Sequence, residues 1–106
     1  MSDSTSKEAE STRRSARIRV RLPVLYVWWE GEQEHTERTY TITVSQFGCS
    51  AHSHRNFRPG TRMQVRRGPK TMEGRVVYSL KDHSTNMVEV AVGFEQDASD
   101  FWEIKF

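Results

Sequence analysis

From Arg19 to Trp28 the chain alternates, with Val20, Leu22, Val24, Tyr26 and Trp28 on one side and Arg19, Arg21 and Pro23 on the other. A period of two predicts a strand with one face in a core. Glu30-Gly31-Glu32 has turn chemistry, and alternation resumes over Arg38 to Val44, which sets Tyr40, Ile42 and Val44 on one face. Further short strands are predicted over Cys49 to Ser53, Met63 to Arg67, Met72 to Leu80 and Met87 to Phe94, the last turning Val88, Val90, Val92 and Phe94 inward. Arg58-Pro59-Gly60, Gly68-Pro69 and the polar run Asp82 to Asn86 separate them. Proline fixes φ and glycine accepts positive φ, which suits tight turns. The pattern predicts an all-β fold, a six-stranded antiparallel β-barrel, because closure removes the exposed edges of a small sheet.

The last ten residues change period. Asp97 is placed to cap, Asp100 lies three residues on, and Phe101, Trp102, Ile104 and Phe106 share a helical face, so a short C-terminal helix is predicted. Such a helix either packs as a lid on one end of the barrel or docks an effector protein. At the other end, residues 1–12 are Ser, Thr and charge, with no apolar side chain beyond Met1 and Ala9, which predicts a disordered tail. Residues 13–106 are read as the barrel domain.

Composition narrows the classes. With 106 residues, 35% of them hydrophobic, the apolar positions suffice for one core. No apolar run approaches the ~20 residues needed to cross a bilayer as a helix, and the amino terminus has no hydrophobic signal region. A cytoplasmic location without membrane contact is the expectation. Cys49 is the single cysteine, which excludes an internal disulfide and any multi-cysteine metal site.

The net charge of +2 is unevenly spread. Residues 1–12 hold three acids against Lys7, and residues 23–106 hold ten basic against eleven acidic side chains. Between them lie Arg13, Arg14, Arg17, Arg19 and Arg21 with no acid. A basic cluster at the edge of a near-neutral body points to an anionic partner. Its arginines matter, because guanidinium forks onto phosphate oxygens and stacks on aromatic planes.

Two local patterns carry candidate chemistry. Arg13-Arg14-Ser15-Ala16-Arg17 joins the tail to the first strand, and Thr43-Val44-Ser45-Gln46-Phe47-Gly48 ends the second strand in a small-residue turn. If these strands pair, guanidiniums, a hydroxyl and close backbone approach at a glycine come together, which suits a flat ligand bearing phosphates. Read as plain structure, Ser45 to Gly48 is a turn whose glycine supplies positive φ.

At this point the chain resembles the PilZ family, bacterial receptors for cyclic di-GMP built on a six-stranded antiparallel barrel. The family's marks are Arg-x-x-x-Arg before the first strand and a later [Asp/Asn]-x-Ser-x-x-Gly. Arg13 and Arg17 match the first, with Leu22-Pro23-Val24 following; Ser45 and Gly48 match the second, and Val92-Gly93-Phe94 is similar to the family's last strand. The resemblance implies that Arg13, Arg14, Arg17, Thr43, Ser45 and Gly48 bind cyclic di-GMP, without a cofactor, and that binding orders the leader as the signal. Thr43 departs from the pattern: a hydroxyl lacks the paired acceptors of a carboxylate for a guanine N1-H/N2-H edge.

Other readings stay open. A degenerate PilZ-like module that binds proteins in place of the nucleotide is one, and a small nucleic-acid-binding barrel is another. Against the latter, single-strand binders line a whole groove with positive charge. His52 and His54 lie near Cys49 in sequence, but on a strand Cys49 and His52 face opposite ways, so no metal site is expected; His35 and His83 are read as loop residues. No phosphate loop, nucleophile elbow or serine triad is present, so no enzyme is expected. Trp28, Trp29 and Trp102 are read as packing residues.

Overall fold

The computed structural model describes residues 16–106, so the expected disordered tail over residues 1–12 lies outside the described residues. Within them the strands are β1 (Ile18–Arg19), β2 (Pro23–Glu30), β3 (Gln33–Ser45), β4 (Gly48–Ser53), β5 (Arg62–Arg67), β6 (Lys70–Asp82) and β7 (Met87–Phe94), followed by the helix α1 (Ser99–Trp102). They form one antiparallel sheet in the order β1-β3-β2-β5-β6-β7-β4, and a β3–β4 pairing closes it. β2 to β7 are the six staves of the expected barrel, and β1 is an extra strand laid along β3.

β1 arises where the alternation predicted one unbroken strand from Arg19 to Trp28. Arg19 pairs with Thr43 and Pro23 with Tyr40, so four steps on one side oppose three on the other. The surplus residue is a bulge. Thr41 fills it: its backbone N–H donates to Leu22 O at 2.9 Å, its hydroxyl donates to Val20 O at 2.6 Å, and the same hydroxyl accepts from Leu22 N–H at 2.9 Å. These bonds occupy backbone groups that the interrupted ladder would otherwise leave unpaired.

A second irregularity, between Thr41 and Thr43 in the β3–β4 pairing, changes the facing of β3. Val44 and Thr41 are both buried although they lie three residues apart. Tyr40, which the alternation sets on one face with the buried Val44, is therefore 43% exposed, with the Arg21 guanidinium 4.1 Å from its ring centre. β3 is also longer than its apolar alternation suggested and takes in His35, read from sequence as a loop residue, which stacks on Trp28 at a centroid distance of 5.8 Å.

The core is formed by the inward residues of β2, β5 and β7 with Val44, Cys49 and Ala51. The alternation of β7 holds, with Val90, Val92 and Phe94 in the core and Val88 packed against it. Tyr26 is fully buried and donates its hydroxyl to Val90 O at 3.0 Å. Burial pushes the Cys49 thiol up to about 12.

The helix is one turn long, shorter than the sequence suggested. Asp97 accepts from Ser99 N–H at 2.8 Å, and Glu103 ends the turn in the left-handed region at φ 59°. Phe101 and Trp102 are buried against Phe94 with centroid distances of 6.3 Å each, so the element acts as the lid. Of the other two expected face residues, Ile104 packs on the core and Phe106 is exposed. No helix among the described residues is long and apolar enough to cross a membrane.

Near the β4 end of the barrel Glu37 accepts from the Ser53 hydroxyl at 2.5 Å and from His54 N–H at 2.9 Å, with the His54 ring at 2.8 Å. Burial works against its charge, but these donors outweigh burial and hold the carboxyl below its ordinary value.

Two outcomes follow from this packing. Trp102→Ala removes the lid's largest buried side chain and is expected to cost about 3–5 kcal/mol in urea unfolding. Because the Glu37 pKa is depressed in the folded state, its contribution is present above the unfolded value and lost as pH falls through the folded one. Unfolding midpoints of the parent should thus fall as pH drops below about 4.5, and Glu37→Gln should flatten that part of the profile.

Candidate functional site

β3 and β4 meet in a tight hairpin in which Ser45 faces Gly48 across Gln46 and Phe47. The hairpin is anchored from outside itself: Phe94 N–H donates to Phe47 O at 2.9 Å and Ala98 N–H to Gln46 O at 2.7 Å. The Gln46 amide also donates to Asp97 at 2.5 Å, and donors from Ser99 and Gln46 hold that carboxyl below its ordinary value. The lid helix and the last strand thus fix the corner.

Gly48 is required for a reason other than the positive φ expected of a turn glycine, a property confined among glycines to Gly31, Gly60 and Gly68 of the described residues. A Cβ at Gly48 would lie 2.6 Å from Val92 O. The neighbouring strand β7 occupies the space.

Side chains on the outer face of the sheet extend this corner into a surface. Arg19, Thr43, Ser50, Ala91 and Tyr78 form one register row across β1, β3, β4, β7 and β6. Thr43 and Ser50 share a hydroxyl hydrogen bond at 2.9 Å, and the Ser45 hydroxyl donates to Gly48 O at 3.5 Å. Above this floor lies a cavity of about 140 Å³ lined by Arg17, Thr43, Ser45 and Gly48. Continuing the β1–β3 register by one residue beyond Ile18 sets Arg17 opposite Ser45. Four of the six residues expected at the site therefore line one cavity; Arg13 and Arg14 lie outside the described residues.

The far wall was not read from the sequence. It is made by Val77, 58% exposed, and Tyr78, placed there by an irregularity between Val76 and Tyr78 in the β6–β7 pairing. The consecutive apolar residues Val76-Val77-Tyr78 were the available signal, because strict alternation does not produce them. Tyr78 donates to Glu89 at 2.8 Å, and burial followed by that carboxylate pushes its hydroxyl up to about 12, with Arg17 pulling the other way. Tyr78 therefore stays a protonated donor at neutral pH. The surface offers a guanidinium on one rim, hydroxyls on the floor and an apolar wall opposite.

The histidines weighed as metal ligands are engaged elsewhere. His52 on the outer face lies 3.0 Å from Asp82, His54 is bound to Glu37, and Cys49 is buried.

No family model matches the sequence, and no curated protein matches it. Solved structures share its fold, two of them as follows. The Bacillus subtilis inhibitor of motility (MotI/DgrA) superposes with a TM-score of 0.63 at 18% identity, over 86% of this chain and 46% of that one. The chain thus spans about half the length of that protein. The PilZ domain of YcgR from Escherichia coli, solved with c-di-GMP, superposes with a TM-score of 0.54 at 17% identity, over 78% of this chain and 77% of that one.

Gly48→Ala is expected to destabilise the fold by about 1–3 kcal/mol, because the methyl group must displace the Val92 carbonyl. Thermal unfolding of the ligand-free variant measures this packing effect by itself.

Proposed function

The chain has a PilZ-like fold, and we propose that it is a non-enzymatic bacterial receptor for cyclic di-GMP, signalling through ordering of its N-terminal segment. The observation that carries the reading is the meeting of Arg17, Thr43, Ser45 and Gly48 at one cavity on the outer face of the barrel. Support also comes from the YcgR PilZ domain, which shares the fold and was solved with that nucleotide.

The chemistry of the residues fits the ligand. A guanidinium forks onto phosphate or onto guanine O6 and N7, and it stacks on a base plane. Arg17 reaches the cavity from the strand edge, and Arg13 in the same Arg-x-x-x-Arg segment adds a second fork. Ser45 supplies a hydroxyl, Gly48 an open approach to backbone, and Val77 an apolar surface for a base edge. The cavity of about 140 Å³ is smaller than the ~300–1,000 Å³ typical of small-molecule pockets, so it seats only part of a cyclic dinucleotide. In this reading Arg13 and Arg14 would supply contacts to the remainder, and the ordering of the N-terminal segment on binding is the signal.

A second reading rests on Thr43, whose hydroxyl is already shared with Ser50. In that reading the domain has given up the nucleotide and acts by protein contact.

Isothermal calorimetry with cyclic di-GMP separates the two. Binding at micromolar protein and physiological salt, with no response to GTP, is the expected result; no heat with tens of micromolar ligand leaves the protein-contact reading. Arg17→Ala should weaken binding about 10- to 100-fold, the loss of a charged hydrogen bond of ~1.5–3 kcal/mol. Thr43→Asp should tighten it about tenfold by restoring paired acceptors for the guanine edge.

A further inference from the structure

The C-terminal helix spends Phe101 and Trp102 on the domain's own core, so it does not offer them to a partner. A different surface has the properties of a docking site. Arg17 borders the small cavity, whereas Arg19, Val20 and Arg21, a few residues further along, border a wide groove of about 1170 Å³. Arg38 and Arg66 line the same groove, and no acidic residue does.

Those guanidiniums are poorly compensated. Among the described residues Arg19 and Arg38 have no ion-pair partner, Arg21 lies on the Tyr40 ring, and Arg66 reaches Glu34 only at 3.7 Å. Like charges gathered without counter-charge repel, and an anionic occupant relieves that repulsion. The groove is also apolar below the charges. Leu25, Ile42 and Met87 line it, half-buried yet outside the core cluster.

We propose that this groove docks an acidic segment of a partner protein, with carboxylates forked onto the arginines and apolar side chains seated on Leu25, Ile42 and Met87. Other occupants fit less well. The chain's own residues 1–12 are acidic but offer only Met1 and Ala9 to the apolar floor. A single-stranded nucleic acid needs open aromatic faces for its bases, and the aromatic rings lining the groove are engaged, Tyr40 with Arg21 across it and His52 with Asp82 at 3.0 Å. This inference stands apart from the nucleotide reading, since the two surfaces have no lining residue in common.

The test is fluorescence anisotropy of a labelled short peptide alternating glutamate and leucine, titrated with the full chain. Saturable binding is expected, with serine-for-leucine and glutamine-for-glutamate peptides both weaker. The double variant Arg21→Ala with Arg38→Ala should weaken binding about fivefold, two exposed ion pairs of ~0.5 kcal/mol each, and Arg66→Gln serves as an independent check. Arg17→Ala should leave peptide affinity unchanged while lowering nucleotide affinity, so failure of one reading is told apart from failure of the other. Absent peptide binding, equal affinity in all the groove variants, or displacement of the peptide by an equimolar thymidine oligonucleotide would overturn the proposal.

Discussion

β3 is hydrogen-bonded along both edges, to β1 and β2 on one side and to β4 on the other. Thirteen residues long, it is shared by the staves that begin and end the sheet, so closure passes through it. Both features of the candidate site hang on this strand. Its last residues hold Thr43 and Ser45, and its pairing with β1 lays Arg17 beside them. The Thr41 hydroxyl allows the surplus residue in the facing segment while keeping β1 in line. One polar side chain in a buried position thereby joins closure of the barrel to placement of charge on its outside.

Much of this was legible in the sequence, and what escaped has a common cause. Alternation located six strands and the inward residues of β7, because period two reports which face meets a core. Bulges break that parity without leaving a strong mark in composition. Tyr40 was grouped on one face with Val44 for this reason, and Val77 and Tyr78 went unrecognised as a wall of the site. The helix was overestimated since Phe101, Trp102, Ile104 and Phe106 satisfy a helical face, yet only the first two are taken up within the single turn. Gly48 was found, but the Val92 carbonyl that demands it lies in a strand distant in sequence.

The described arginines of the basic cluster, Arg17, Arg19 and Arg21, divide between two surfaces. Arg17 borders the small cavity, while Arg19 and Arg21 border the wide groove. Charge that looked like one cluster along the sequence is thus distributed by strand geometry over adjoining patches with different chemistry, hydroxyls in one and aliphatic side chains in the other.

The buried thiol has a bearing on how the barrel opens. Cys49 is enclosed and its pKa lies at about 12, so in the closed molecule a thiol-directed alkylating reagent finds neither access nor thiolate. Both are gained together once β4 separates from β3 and β7. The rate of covalent labelling in water therefore reads the frequency of barrel breathing, with an internal clock built from a side chain of the core.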